Sequence, residues 1–316
     1  MSEKTGCDQA FTTGSLYGMG GEPTFAGALS FMRRRYTRDL AGVDVAVSGV
    51  ALDLATTNRP GARFGPAGIR RASAMISWGK PWPWGFDPFE RLAVIDYGDC
   101  AFDFGRPATI VAAIENHARN LLRSGVALLT LGGDHFISYP LLRAHHEAHG
   151  PLALVHFDAH CDTWAETEKR IDHGTQFYHA AKEGLVDPAH SVQVGIRTHN
   201  DDTHGFQILD AEWIHMHGPA AAIAEIRRLV GDRKAYLTFD VECLDPSCAP
   251  GTGTPVTGGL STREARAILR GLKDIRFVGA DVVEVAPPYD VSDITSLAAA
   301  TVALEYLCIL AHQRAP

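Results

Sequence analysis

Three apolar runs in this chain each lead directly into a group of acidic or histidine side chains. Such continuous runs are typical of strands buried on both faces of a sheet, and they span residues 127–131, 152–155 and 235–239. Ligands of open α/β sheets bind beyond the carboxyl ends of parallel strands, so the polar groups that follow these runs are expected to meet at one edge. The pattern predicts an α/β domain with a parallel sheet and a polar site at that edge.

The richest polar group is VHFDAHCD, at residues 155–162. On an extended backbone successive side chains point to opposite faces, so Asp158, His160 and Asp162 are expected to project to one side together. Three ionisable groups on one face of a buried strand need a compensating charge. We interpret this segment as part of a metal site.

Two further groups extend the set of candidate ligands. His135 ends the sequence GGDH, and Asp240 and Glu242 lie in FDVE. Taken singly, His135 is typical of a loop or cap residue and the two carboxylates are typical of a solvated strand end. Together with residues 158–162 they give two imidazoles and four carboxylates, which is too many for one tetrahedral zinc. The set favours a pair of hard or borderline divalent ions, with Mn²⁺ first.

Composition indicates a single large domain. The 316 residues are 46% hydrophobic and 21% charged, enough to bury a large core, and no linker or internal repeat divides them. We predict an N-terminal arm at 1–40 and a catalytic domain at 41–316. The arm either wraps a neighbouring subunit, covers the site or is a loosely packed tail.

Charge and cysteine usage narrow the class of protein. A net charge of −8 argues against nucleic acid and anionic membranes as partners. The six cysteines lack zinc or thioredoxin spacing, so reduced thiols in a cytoplasmic protein are expected. No signal-peptide core follows the start, and the longest apolar run, at 297–311, is interrupted by Glu305, which predicts neither export nor a membrane span.

Alternating strand and helix patterns continue along the chain. Further strands are predicted at 43–50, 92–96, 191–195 and 277–281, and helices at 65–75, 107–123, 138–149, 219–230, 262–271 and 294–312. Parallel strands joined by right-handed helical crossovers accommodate this order.

Three motifs together resemble the signatures of the ureohydrolases, the arginase and agmatinase family. They are GGDH at 132–135, HFDAHCD at 156–162 and FDVECLDP at 239–246, and the resemblance extends from about residue 44 to the carboxyl end. FYHAAKEGL at 177–185 and VEVAP at 283–287 are most similar to bacterial agmatinases. The resemblance implies a three-layer α/β/α fold with an eight-stranded, mainly parallel sheet, and a homotrimer or homohexamer.

The resemblance also implies roles for site residues around two Mn²⁺ ions per subunit. One ion would be held by His135, Asp158, Asp162 and Asp240, and the other by Asp158, His160, Asp240 and Glu242. Asp158 and Asp240 would bridge the ions, which share the hydroxide that attacks the substrate. Glu284 would pair with the guanidinium of the substrate, and His173 would transfer a proton to the leaving amine.

The expected substrate is agmatine, and the products are urea and putrescine. Arginases place an asparagine for the α-carboxylate where this chain has Trp164, whose ring face can accept a cation. Glu166 and Glu168 suit the distal ammonium of agmatine, whereas Lys169 and Arg170 suit the carboxylate of guanidinobutyrate. Hydrolysis of guanidinobutyrate, guanidinopropionate or arginine therefore stays open. It also stays open that these four charged residues form a solvated loop and do not bind the substrate.

Glu242 departs from the family pattern. Most relatives have Asp-x-Asp where this chain has Asp240-Val241-Glu242. Glutamate keeps the charge but reaches one methylene further, so the coordination or occupancy of the second metal is expected to differ. A hypothesis from another functional class also stays open: the chain is an inactive metal-binding relative that serves as a regulatory or structural subunit.

Overall fold

One central sheet organises the protein. The computed structural model describes residues 8–18, 22–165 and 170–314. In these ranges the strands are β1 Val45–Val50, β2 Val94–Asp99, β3 Ala127–Gly132, β4 Ala153–Phe157, β5 Val192–Ile196, β6 Gln207–Asp210, β7 Lys234–Asp240 and β8 Arg276–Val283. Their spatial order is β2-β1-β3-β8-β7-β4-β5-β6, and every neighbouring pair is parallel. The predicted eight-stranded α/β sheet is confirmed, and its described strands are all parallel rather than mainly so.

Nine α-helices accompany the sheet in the described ranges. They are α1 Gln9–Thr12, α2 Gly65–Ser73, α3 Pro88–Arg91, α4 Ile110–Arg123, α5 Ser138–His149, α6 Gln176–Lys182, α7 Ala211–Val230, α8 Thr262–Gly271 and α9 Ile294–Gln313. Local signals explain several boundaries. Pro66 lies in the first turn of α2, where its missing N–H costs nothing. Ser261 and Glu264 form a reciprocal capping box at the start of α8.

Strand alternation divides the core between the two faces of the sheet. In β1, Val45 and Val47 belong to the apolar cluster that contains α2, α7, α8 and α9, whereas Ala46 belongs to the cluster that contains α4, α5 and α6. Helices therefore cover both faces, as the predicted three-layer arrangement requires.

The C-terminal helix α9 is a core element. Among the helices of the described ranges it alone is long and apolar enough to cross a membrane, and 78% of its apolar window is buried inside the fold. Its buried carboxylate, Glu305, pairs with Arg266 and Arg270 and accepts a hydrogen bond from Trp84. These contacts fix α9 against α8 and a loop, so its apolar surface serves packing.

Predicted and observed elements differ mainly in four unpredicted elements and one helix start. The unpredicted elements are β6, α6 and the single-turn helices α1 and α3. β6 has four residues with mixed exposure, and α6 has seven, so neither shows a full period. α7 begins at Ala211 rather than near residue 219, because Gly218 breaks it with a φ of 79° and Pro219 then mimics a helix start.

The described part of the N-terminal arm packs on the domain. Phe31 and Met32 are buried, and the Phe31 N–H donates to Asp96 of β2 at 2.7 Å. Residues 19–21, in the glycine-rich part of the arm, lie outside the described residues. The boundary near residue 40 stays a prediction.

Candidate active site

The candidate site lies at the carboxyl ends of four adjacent strands at the centre of the sheet. β3, β8, β7 and β4 are consecutive neighbours there. His135 follows β3, Glu284 follows β8, Asp240 ends β7 and Asp158 follows β4. The edge at which the polar groups were expected to meet is therefore the edge at which these four side chains lie.

The segment after β4 turns instead of continuing as a strand. β4 ends at Phe157, the His160 N–H donates to Oδ1 of Asp158 at 2.8 Å, and Asp162 has a φ of 51°. The extended backbone assumed through Asp162 is therefore wrong. The turn directs Asp162 and His160 to two neighbouring clusters that share Asp158.

The first cluster centres on the imidazole of His135. Its Nδ1 lies 3.0 Å from Oδ2 of Asp158, 3.0 Å from Oδ2 of Asp162 and 3.1 Å from Oδ2 of Asp240. All four side chains are buried, yet this nitrogen has no hydrogen-bond partner. Three carboxylate oxygens around an unpartnered ring nitrogen form the donor set that a divalent cation requires.

The tautomer of His135 also fits a metal ligand. The hydroxyl of Thr238 donates to Oδ1 of Asp281 at 2.6 Å, so its oxygen accepts from Nε2–H of His135 at 2.7 Å. The proton of a neutral ring is therefore on Nε2, which leaves the lone pair of Nδ1 facing the carboxylates. Such a chain of hydrogen bonds orients the ring of a metal-binding histidine and makes its free nitrogen a more basic ligand.

The second cluster joins Asp158, His160 and Glu242. Nδ1 of His160 lies 3.3 Å from Oδ1 of Asp158 and 3.2 Å from Oε2 of Glu242. Asp158 thus contributes one oxygen to each cluster. Asp240 faces the first cluster with Oδ2, while its Oδ1 accepts the Glu242 N–H at 2.7 Å, so its role as a second bridge stays a prediction.

The carboxylates repel one another in the absence of a cation. Burial and the charges of Asp158 and Glu242 raise the pKa of the Asp240 carboxyl well above its ordinary value. A bound divalent ion would relieve this repulsion. The donor set and its electrostatics both fit metal binding, and the clusters indicate a metal cofactor.

His156 joins the site although it was not predicted. Its Nε2 lies 2.9 Å from Oδ2 of Asp158, and its Nδ1 lies 3.1 Å from the amide nitrogen of Gln193. An amide nitrogen only donates, so the His156 proton is on Nε2 and points at Asp158. The signal was present in the sequence, because His156 precedes Asp158 by two residues in the same alternating pattern.

Glu284 and His173 form a buried pair beside the first cluster. Oε1 of Glu284 lies 3.0 Å from Nδ1 of His173 and accepts the His135 N–H at 2.8 Å, whereas Oε2 is buried with no hydrogen-bond partner. Burial alone would lower the pKa of His173, but the hydrogen bond and charge of Glu284 outweigh it and raise the pKa to about 10. Glu284 has a φ of 63°, a strained conformation of the kind held at functional sites.

Thr57 closes the other side of His173. Its N–H lies 3.2 Å and its hydroxyl oxygen 3.0 Å from Nε2 of His173. Sequence reasoning missed Thr57, because no motif marks it and it lies in a loop remote in sequence from His173.

A cavity of about 440 Å³ opens over the clusters. Its lining consists of Thr57, His160, Asp162, Trp164, Ala165, Arg170, Asp172, His173, Gly174, Thr175, Asp240, Glu242 and Thr254. Trp164 is 40% exposed on this wall, and Arg170 pairs with Asp172 at 2.6 Å. Glu166, Glu168 and Lys169, expected near the tail of the substrate, lie outside the described residues.

Comparison with known proteins decides the family. The model of the arginase family matches residues 43–308. The chain belongs to the arginase family. It is 58% identical to the agmatinase of Chromobacterium violaceum over 309 residues, which cover 97% of this chain and 96% of that protein.

Solved structures agree with this membership. A hypothetical agmatinase from Burkholderia thailandensis superimposes with a TM-score of 0.97 at 59% identity, covering 98% of this chain and 99% of that one. Proclavaminate amidino hydrolase from Streptomyces clavuligerus superimposes with a TM-score of 0.86 at 40% identity, covering 92% and 99%. This arginase-family chain is a ureohydrolase enzyme, which confirms the family resemblance and the enzyme class predicted from the sequence.

Proposed function

We propose that this chain hydrolyses agmatine to urea and putrescine with two Mn²⁺ ions per subunit. The observation that carries the proposal is its identity of more than half with an agmatinase over nearly the whole of both chains. The chemistry of the site supports it, because the cavity combines two clusters of metal-type donors with an indole wall.

The metal ligands follow from the two clusters. His135, Asp158, Asp162 and Asp240 would hold one ion, and Asp158, His160 and Glu242, with Asp240 as a further candidate, would hold the other. A carboxylate-rich set with two imidazoles suits Mn²⁺ better than zinc. The bound ions would lower the pKa of a coordinated water and so supply a nucleophile at neutral pH.

Glu284 would bind the guanidinium of the substrate. Its Oε2 is a buried carboxylate oxygen without a donor, and such an oxygen is costly unless a ligand supplies one. Its Oε1 is already held by His135 and His173. The carboxylate is thus fixed through one oxygen and free to accept a guanidinium N–H through the other.

His173 would protonate the leaving amine. Glu284 keeps the imidazole protonated by raising its pKa to about 10. The Thr57 N–H can donate to Nε2 only when that nitrogen carries no proton. A charged His173 therefore loses this contact, and its Nε2–H can be donated to the Thr57 hydroxyl oxygen at 3.0 Å or to the leaving nitrogen.

The wall of the cavity favours a cationic tail. The face of Trp164 can attract an ammonium group with about 0.5 to 2 kcal/mol, and the carboxylate of Asp172 lies on the same wall. Arg170 favours the second candidate, 4-guanidinobutyrate, whose carboxylate could replace Asp172 as its partner.

We also propose a cytoplasmic homotrimer or homohexamer. The five cysteines in the described ranges are unpaired, in keeping with a reducing compartment. Phe25, Trp78 and Trp82 are 90%, 73% and 86% exposed, and a subunit contact would bury such side chains. Light scattering coupled to size-exclusion chromatography measures the number of subunits.

A urea-release assay tests the proposal. Protein loaded with Mn²⁺ is compared on agmatine, 4-guanidinobutyrate, 3-guanidinopropionate and arginine, and agmatine is expected to give the highest kcat/KM. Chelation should abolish urea release, and added Mn²⁺ should restore it. A higher kcat/KM for a carboxylate-tailed compound would overturn the substrate assignment, and no urea from any of the four would support the inactive-relative alternative.

A further inference from the structure

The carboxylate of Glu242 is held by three donors from one loop. The Thr252 hydroxyl donates to Oε1 at 2.6 Å, the Thr254 N–H donates to the same oxygen at 2.6 Å, and the Thr254 hydroxyl donates to Oε2 at 2.8 Å. Glu242 and Thr252 are 2% and 1% exposed, so their mutual hydrogen bond is shielded from water, whereas Thr254 is half-buried at the cavity. These three hydrogen bonds therefore position the carboxylate.

Counting the lone pairs shows which oxygen stays open. Each carboxylate oxygen offers about two acceptor positions. Oε1 has two donors, whereas Oε2 has one and lies 3.2 Å from Nδ1 of His160. A cation placed among Asp158, His160 and Glu242 can reach only the remaining position on Oε2, which allows contact through a single oxygen.

The loop that supplies the donors is itself anchored. The Gly251 N–H donates to the Thr295 hydroxyl of α9 at 2.8 Å, and the Gly251 carbonyl accepts from Ala286 at 2.8 Å. A side chain at position 251 would overlap Asp290, which shows how closely the loop is packed there. Because the loop is fixed at this point, the loop sets where the carboxylate lies.

This arrangement accounts for the glutamate in the third motif. An aspartate at position 242 would be one methylene shorter and would withdraw from the Thr252 and Thr254 donors. The buried Thr252 hydroxyl would then lose its acceptor, at a cost.

We propose that Thr252 and Thr254 are positioning residues that hold Glu242 as a single-oxygen ligand of the second metal ion. The inference rests on the proposed binuclear function. Loss of either hydroxyl removes one of the three donors and loosens the carboxylate, so it weakens binding of the second ion and leaves binding of the first ion unchanged. Partners of metal ligands typically change metal affinity 10- to 100-fold, and an effect of about that size is expected.

Metal titration without substrate tests the inference. Metal-free wild type, Thr252→Val and Thr254→Val are titrated with Mn²⁺, and both affinities are measured by calorimetry, with paired ions identified by electron paramagnetic resonance. Each valine variant should bind the first ion normally and the second about 10- to 100-fold more weakly. Thr252→Ser and Thr254→Ser keep the hydroxyl and should restore wild-type affinity. Thr257→Val, an exposed change nearby in the chain, is the matched control.

A double-mutant cycle separates positioning from general destabilisation. In the Glu242→Asp background the shorter carboxylate no longer reaches the Thr252 hydroxyl, so Thr252→Val should have little further effect on the second ion. Any of three results would overturn the positioning role alone. They are unchanged or higher affinity for the second ion in both valine variants, equal weakening of the binding of both ions, and full additivity in the cycle. Wild type that binds fewer than two ions would overturn both this inference and the binuclear proposal.

Discussion

Nδ1 of His173 lies 3.0 Å from Oε1 of Glu284, and this contact joins the residue predicted to protonate the leaving amine to the residue predicted to bind the guanidinium. The same oxygen accepts the backbone N–H of His135, so the pair is hydrogen-bonded directly to a residue of the first cluster. If the proposed roles hold, a displacement of His173 should affect both proton transfer and the placement of the substrate.

Replacement of His173 by asparagine should lower kcat by about 100-fold or more, the scale of lost acid-base catalysis. Metal content should stay normal, because His173 belongs to neither cluster. Steady-state kinetics with metal analysis checks both expectations. His199→Asn, at a ring that is 86% exposed, is the control. An unchanged kcat would remove His173 from the reaction.

Asp158 should matter more for metal content than His160. Asp158 supplies Oδ2 to the first cluster and Oδ1 to the second, whereas His160 faces only the second. Asp158→Ala should deplete both ions, and His160→Ala should retain about one ion per subunit. Elemental analysis after dialysis measures the content, with Asp201→Ala, at a 99% exposed side chain, as the control. Equal metal content in the two variants would contradict the shared role of Asp158.

Substitution of Gly174 tests the indole wall. A Cβ at this position would lie 2.8 Å from the ring of Trp164, so Gly174→Ala should displace the indole. We expect a lower kcat/KM for agmatine, expressed mainly as a higher KM. Trp164→Ala should act in the same direction, and Gly174→Ala should add little once the indole is gone. A full additional loss in the double variant would show that Gly174 acts through another contact.

His145 should make the fold less stable in mild acid. Burial lowers its pKa from 6.5 to about 4, and its Nε2 has no hydrogen-bond partner beside the ring of Tyr236. Above pH 6.5 the ring is neutral in both states. Between pH 6.5 and about 4 only the unfolded chain gains the proton, so up to about 3 kcal/mol of stability is lost as the pH falls.

Denaturant unfolding at pH 8 and pH 5 measures this dependence. His145→Leu cannot gain the proton, so its difference in unfolding free energy between the two pH values should be smaller than that of wild type. His199→Leu should behave as wild type. An equal difference in wild type and His145→Leu would exclude the buried ring as a source of acid sensitivity.

The sequence could predict the sheet and the edge at which the site lies, because apolar runs and the residues after them are local signals. His135, Asp158, Asp240 and Glu284 each follow a strand, and parallel strands end at a common edge. The division of ligands into two clusters could not be predicted, since it depends on a turn at residues 158–162.

Loop residues that contact the site from a distant part of the chain have no local signal in the sequence. Thr57 reaches His173 across 116 positions of sequence, and Thr252 reaches Glu242 from a loop that α9 anchors. Such pairings are set by how the loops pack. His156 is different, because its alternation with Asp158 was visible and only its use as a partner of that carboxylate was not.

The place of β8 in the sheet has a consequence for how the protein matures. β8 is the last strand in the chain, yet it inserts between β3 and β7 and carries Glu284 to His135, 149 positions away. Contacts of such long range form late, because the loop that closes them costs entropy before any contact is gained. A growing chain therefore cannot place Glu284 beside His135, and so cannot complete this site, until β8 has been synthesised.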